Sequence, residues 1–116
     1  MLVVDDQAVF RAVMRDVVLA TPGMTVVGEA ASGEAAVDAV QQLSPRMVIM
    51  DKRMPGIGGV EAARLIQARR PEIVVVLVSV ENPDPEVLET SGAAAFLHKR
   101  RLSPRALMDL WRTYGD

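Results

Sequence analysis

Five short apolar runs, rich in β-branched residues, alternate along the chain with longer stretches of helical spacing. The runs are Leu2 to Val4, Thr25 to Val27, Met47 to Met50, Ile73 to Val78 and Ala94 to Leu97, each with the continuous hydrophobicity of a strand buried on both faces. The first helical stretch extends from about Gln7 to Ala20. Its apolar stripe is Val9, Phe10, Val13, Val17 and Val18, with Arg11, Arg15 and Asp16 facing water. Thr21-Pro22-Gly23 ends it. Ser44-Pro45 closes the second helix, and Arg69-Arg70-Pro71 closes the third with cations at the negative end of its dipole. Asp84-Pro85 and Ser103-Pro104 each set a capping side chain before a proline at the first helical position, opening helices four and five. Gly92 ends the fourth. In the last helix Leu107, Leu110, Trp111 and Tyr114 follow i, i+3, i+4, i+7 spacing, a face that docks on a sheet.

Strand then helix, five times, predicts an α/β fold: a doubly wound parallel five-stranded sheet with right-handed crossovers and helices on both faces. Such a sheet gathers its function at the carboxyl ends of its strands. With 116 residues the chain is expected to be one domain over 1–116, which excludes an enzyme with a separate substrate-binding half. The chain begins inside the expected first strand and stops as the fifth helix ends, so a neighbouring segment of a longer protein is part of the expectation.

Composition narrows the function classes. A net charge of -2 carries no sequence-wide basic footprint, and 3% aromatic content leaves no stacking platform, so direct nucleic-acid binding by this domain is not expected. Without Cys there is no disulfide scaffold, thiolate zinc site or thiol nucleophile. Ile73 to Val78 is far short of the roughly 20 apolar residues of a membrane helix, and Asp5-Asp6 interrupts any signal-peptide core, so the expected location is cytoplasmic.

The residues at the strand ends carry the chemistry. Asp5 and Asp6 follow the first run, Asp51 the third, Ser79 the fourth, and Lys99 stands just past the fifth. Three carboxylates on one rim raise one another's pKa unless a cation sits among them, and an oxygen-only ligand set favours a hard divalent ion such as Mg²⁺. Lys99 is a point charge suited to a phosphate oxygen, Ser79 a hydroxyl donor, and one Asp is available as nucleophile. In isolation Asp5-Asp6 reads as a solvated turn, Phe96 as core filler and His98 as an exposed strand-end residue. Gly56, Gly58 and Gly59 do not make a dinucleotide-binding loop, because the third glycine of G-x-G-x-x-G would fall on Glu61. A P-loop is absent as well.

Together, Leu2-Val3-Val4-Asp5-Asp6, Val48-Ile49-Met50-Asp51-Lys52-Arg53-Met54-Pro55-Gly56-Ile57-Gly58-Gly59, Leu77-Val78-Ser79 and Phe96-Leu97-His98-Lys99 closely resemble the CheY-like receiver domain of bacterial two-component response regulators. The resemblance covers essentially the whole chain and implies the flavodoxin-like strand order 2-1-3-4-5. It implies that Asp51 accepts a phosphoryl group from the phosphohistidine of a sensor histidine kinase or phosphotransfer protein. Asp6, Asp51 and the backbone carbonyl of Arg53 would ligate Mg²⁺, and Asp5 would hold it through water. Lys99 and Ser79 would neutralise the transferring group, and Ser79 with Phe96 would form the switch. The altered surface, and a possible dimer interface, would be the fourth helix, fifth strand and fifth helix. Arg53 and Glu81 occupy positions that tune hydrolysis of the acyl phosphate, and an ion pair between them would hinder the attacking water.

Two departures from the family pattern stand out. Arg100 replaces the proline that usually follows the lysine through a cis bond, and a cis bond before a non-proline costs about 2.5–4 kcal/mol, leaving trans or strained cis open. Gly58 replaces an acidic residue, beyond the metal shell. Val26-Val27-Gly28-Glu29-Ala30-Ala31 followed by Ser32-Gly33-Glu34-Ala35 looks like receivers joined to a C-terminal helix-turn-helix DNA-binding domain, hence transcription control through a neighbour. An aspartyl-phosphate hydrolase is the enzyme-class rival, but Arg53 stands where that family needs its second Asp. A phosphorylation-independent pseudo-receiver is the binding-module rival, and the presence of Asp5, Asp6, Asp51, Ser79 and Lys99 argues against it. The expected class is a phospho-accepting switch, not an enzyme.

Overall fold

The computed structural model describes residues 1–115. Along the chain lie β1 (Leu2–Val4), α1 (Ala8–Leu19), β2 (Gly28–Ala30), α2 (Gly33–Leu43), β3 (Met47–Asp51) and α3 (Gly58–Arg69). They are followed by β4 (Val74–Ser79), α4 (Pro85–Ser91), β5 (Ala95–His98), a 3-10 turn at Lys99–Arg101 and α5 (Pro104–Tyr114). The five strands form one parallel sheet in the order β2-β1-β3-β4-β5, as expected.

Alternation along the strands splits the core into two layers. Leu2, Val4, Val48, Met50, Val75, Leu77 and Phe96 point to one face and meet Ala36 and Val40 of α2 and Ala62, Ala63 and Ile66 of α3. Val3, Ile49, Val74, Val76 and Val78 point to the other, against Met14 and Val18 of α1 and Leu107 of α5. β3 and β4 are buried along their whole length. They are the unbroken apolar runs because both faces are covered.

Caps act where the sequence placed them. Ser103 accepts from Ala106 N–H and Asp84 from Glu86 N–H, each with proline in the first turn. α2 closes on Ser44 and α4 on Gly92, both left-handed. α1 ends where the Thr21 hydroxyl donates to the Val17 carbonyl at 2.8 Å.

Several expectations are corrected. The second strand is Gly28–Ala30, three residues later than Thr25 to Val27, because β1 starts at Leu2 and pairs Leu2 with Gly28. Thr25 to Val27 lies beside Met1 without forming a strand: Val27 N–H donates to the Met1 carbonyl at 2.9 Å and the Met1 amino group donates to the Thr25 carbonyl at 2.7 Å. β2 is an edge strand with Glu29 exposed, so it is not buried on both faces. β4 and β5 each lie one residue later than their apolar runs, and β3 runs on to Asp51. On α1 the inward residues are Met14 and Val18, flanked by Phe10 and Val17, while Val9 and Val13 are 77% and 51% exposed. At 100° per residue, a helix that buries positions 14 and 18 turns 9 and 13 away. Arg11 and Arg15 are half-buried, each pairing with Glu29 at 3.3 Å. Tyr114 also lies outside the docked face of α5.

The entry to α3 depends on Gly59. Its N–H donates to the Lys52 carbonyl at 2.9 Å, and an added Cβ would collide with the Asp51 carbonyl oxygen. Gly59→Ala is expected to lower stability by about 1–3 kcal/mol, read as a reduced urea midpoint at unchanged m-value.

Candidate functional site

The order 2-1-3 places β1 beside β3, so the residues that follow β1 and those that end β3 share one rim. Asp5 extends the β1 ladder by one bond, its N–H donating to the Ala30 carbonyl at 3.1 Å. Its side chain is 0% exposed and fully engaged. Oδ1 accepts the Gln7 N–H at 2.9 Å and Oδ2 accepts from Lys99 Nζ at 3.1 Å. Asp6, next in the chain, is exposed. Asp51 closes β3 in register with Val78 of β4 and is buried. One carboxylate oxygen from each of Asp5, Asp6 and Asp51 lies within 4.8 Å of the others. Lys99 leaves the end of β5 and brings its ammonium to 3.6 Å from Asp51 Oδ1.

The charge balance of this cluster is unfavourable to ionised Asp51. Burial pushes its carboxyl above the usual value, and the Asp5 charge adds to the push. The Lys99 ammonium and a hydrogen bond from the Arg53 backbone act in the opposite sense, and Asp6 adds a last increment upward. Three converging oxygens with excess negative charge fit a hard divalent cation, which would reverse that balance.

Around this centre the remaining expected residues take defined places. Ser79 ends β4, buried, with Oγ accepting the Glu81 N–H at 3.1 Å. Glu81 pairs with Arg53 Nε at 2.6 Å and with Lys52 Nζ at 3.7 Å. Phe96 is buried on β5 in register with Leu77, and Lys52 Nζ lies 5.7 Å from its ring centroid. His98 is half-buried rather than exposed, because its Nδ1 accepts the Arg100 N–H at 3.2 Å and caps the 3-10 turn. The Lys99-Arg100 bond is trans, since the described residues contain no cis peptide.

Sequence reasoning missed three participants. The Phe10 ring centroid is 3.8 Å from Lys99 Nζ, Arg11 Nη1 donates to the Asp5 carbonyl at 2.7 Å, and Lys52 joins the Glu81 pair. Phe10 and Arg11 stand on the first turn after Asp5-Asp6, the one sequence signal available. Their residue types read equally well as core and as solvated surface.

The family model of the response regulator receiver domain matches residues 1–111. Response regulator GacA of Pseudomonas protegens is 43% identical over 100 residues, covering 84% of this chain and 47% of that protein. Response regulator UvrY of Escherichia coli is 40% identical over 100 residues, covering 84% of this chain and 46% of that protein. The chain thus spans about half the length of the curated relatives it matches. The response regulator domain of Thermotoga maritima CheB superposes with a TM-score of 0.84 at 33% identity, covering 98% of this chain and 93% of that one.

The raised Asp51 carboxyl fixes the sign of a pH effect. The folded state binds that proton more tightly than the unfolded chain, so the contribution is most favourable below the ordinary value of 3.8 and is lost as pH rises through the raised one. Without divalent ions, Asp51→Asn is therefore expected to stabilise the protein at pH 7, with the gain shrinking on acidification. Thermal unfolding across pH in the presence of a chelator checks this.

Proposed function

As a member of the response regulator receiver domain family, the chain is a signalling switch of a two-component system, and we infer that Asp51 is its phosphoryl acceptor. The observation that carries this reading is the convergence of Asp5, Asp6, Asp51 and Lys99 on one rim. An Asp51 carboxylate oxygen attacks the phosphorus of a phosphohistidine on a sensor histidine kinase or phosphotransfer protein. The new P–O bond forms as the N–P bond breaks, and the electron pair stays on the imidazole nitrogen. Lys99, already beside Asp51, follows the negative charge onto the phosphoryl oxygens. Asp6, Asp51 and the Arg53 carbonyl would hold Mg²⁺, with Asp5 acting through water because both its oxygens are engaged. When bound, the ion supplies charge neutralisation at the transferring group.

In this reading the Ser79 hydroxyl leaves the Glu81 N–H for the phosphoryl oxygens, Phe96 follows, and the α4-β5-α5 surface changes. That surface is also the reading's candidate dimer interface. The wider role, supported by relatives about twice as long, is cytoplasmic transcriptional control. There residues 1–116 form the receiver and a C-terminal DNA-binding domain delivers the output.

Incubation with acetyl phosphate and Mg²⁺, followed by intact-protein mass spectrometry, tests the acceptor. The wild type is expected to gain the mass of one phosphoryl group, and Asp51→Asn or a chelator to abolish the gain. No gain in the wild type would instead favour a phosphorylation-independent binding module, and steady phosphate release without an adduct would favour a hydrolase.

The ion pair of Arg53 and Glu81 is exposed and contributes only about 0–1 kcal/mol to stability, so its effect is on water access. Arg53→Ala and Glu81→Ala are each expected to shorten the acyl-phosphate lifetime at nearly unchanged Tm. Equal lifetimes would remove the gate.

A further inference from the structure

We propose that Phe10 is a positioning residue for phosphoryl transfer, its ring face holding the Lys99 ammonium in place beside Asp5 and Asp51. The inference rests on Asp51 being the acceptor. Lys99 carries its charge on a flexible four-carbon stem, so its position is set by what surrounds the ammonium. Among the described residues three groups do so: Asp5 Oδ2 at 3.1 Å, Asp51 Oδ1 at 3.6 Å and the Phe10 ring with its centroid at 3.8 Å.

The two carboxylates are unreliable anchors during the reaction. Asp51 gives up its negative charge when it forms the acyl phosphate bond, and a divalent cation held by Asp6 and Asp51 would repel the ammonium. The ring is different. It does not titrate, binds no hard cation in competition with oxygen, and attracts an ammonium through its electron-rich face. It also shields that side from water, which strengthens the charge interactions beside it. The ring is itself well placed, because Phe10 sits on the first turn of α1, where the Arg11 N–H donates to the Gln7 carbonyl at 3.0 Å. Arg11 Nη1 ties the same turn to the Asp5 carbonyl at 2.7 Å. The ring and Asp5 are thereby fixed to one another, with Lys99 between them.

The test compares wild type, Phe10→Leu and Phe10→Tyr. Leucine keeps an apolar side chain without a ring face, and tyrosine keeps the face. Two quantities are read: the rate of Asp51 phosphorylation by saturating acetyl phosphate with Mg²⁺, and the proton chemical shifts of the Lys99 ε-methylene. The wild type should show the upfield ring-current shift of a methylene over an aromatic face. Phe10→Leu should lose that shift and phosphorylate roughly tenfold more slowly at saturation, with little change in the half-saturating donor concentration, and Phe10→Tyr should restore both. The Lys99 shift reports only that the ring lies over the ammonium and disappears with the ring in any case. A merely structural role for Phe10 would lower Tm without lowering the saturating rate selectively over the half-saturating concentration. Full-rate phosphorylation of Phe10→Leu, or a wild-type Lys99 without the upfield shift, overturns the proposal and leaves the acceptor role of Asp51 intact. A wild type that accepts no phosphoryl group overturns both.

Discussion

The structure is organised around a concentration of negative charge that the protein interior would not tolerate unaided. Asp5 is completely buried and Asp51 nearly so, and the single ammonium of Lys99 is shared between them. Taking away the shared ammonium would leave buried carboxylates uncompensated, which costs on the order of 3–5 kcal/mol, whereas losing Asp51 still leaves Lys99 paired with Asp5, and the intact cluster contributes little net stability. The cluster is therefore a poor device for holding a fold together. It is a good device for creating demand for a cation and for a group whose charge the cation and the lysine can share.

The sheet order makes that cluster possible. β1 lies between β2 and β3, so the chain winds one way from β1 to β2 and the other way from β3 onward, opening a crevice at the carboxyl ends of β1 and β3. Below the rim the sheet is closely packed. β3 and β4 are buried throughout, and α3 begins so close to Asp51 that Gly59 has no room for a side chain. Asp51 thus sits on a fixed support, as does Ser79 at the end of β4, while Lys99 and Glu81 project from segments that leave the sheet. A fixed carboxylate among adjustable counter-charges fits the proposed reversible mark better than rapid turnover.

The sheet and the rim were legible because their signals are strong and local. Runs such as Ile73 to Val78 have few alternatives once both faces must be buried, and Asp5, Asp6, Asp51, Ser79 and Lys99 follow from reading the ends of those runs. The failures have physical causes. At β2 the ladder is set by the register of β1, which a three-residue apolar run cannot report, so Thr25 to Val27 lost to Gly28–Ala30. On α1 five apolar positions offered more than one stripe, and only packing against Val3 and Ile49 selects Met14 and Val18. Phe10 escaped notice because its contact with Lys99 joins the first helix to the end of the last strand. His98 was misplaced because a ring nitrogen capping its own turn is invisible to periodicity.

Glu81 links the chemistry to the rest of the molecule. Its N–H is bonded to Ser79 Oγ, its carboxylate to Arg53 and Lys52, and Lys52 in turn faces the ring of Phe96. If the hydroxyl swings to a phosphoryl oxygen, the Glu81 amide loses its acceptor, and a polar group left without a partner costs more than the average hydrogen bond contributes. The loop can recover that loss only by moving to where water or another carbonyl receives the amide. Such a move pulls the carboxylate away from Lys52, and Lys52 is then free of the charge that holds it beside the aromatic ring. Phe96 sits in the same core layer as Leu77 and Val75, and Val87 and Leu88 of α4 pack against that layer, so in the proposed switch a change at the ring would be passed to α4 through it. In the proposed switch, the route from acid to surface would need no long-range field. It needs one hydroxyl with two competing partners, and a carboxylate that cannot satisfy its neighbours in both positions.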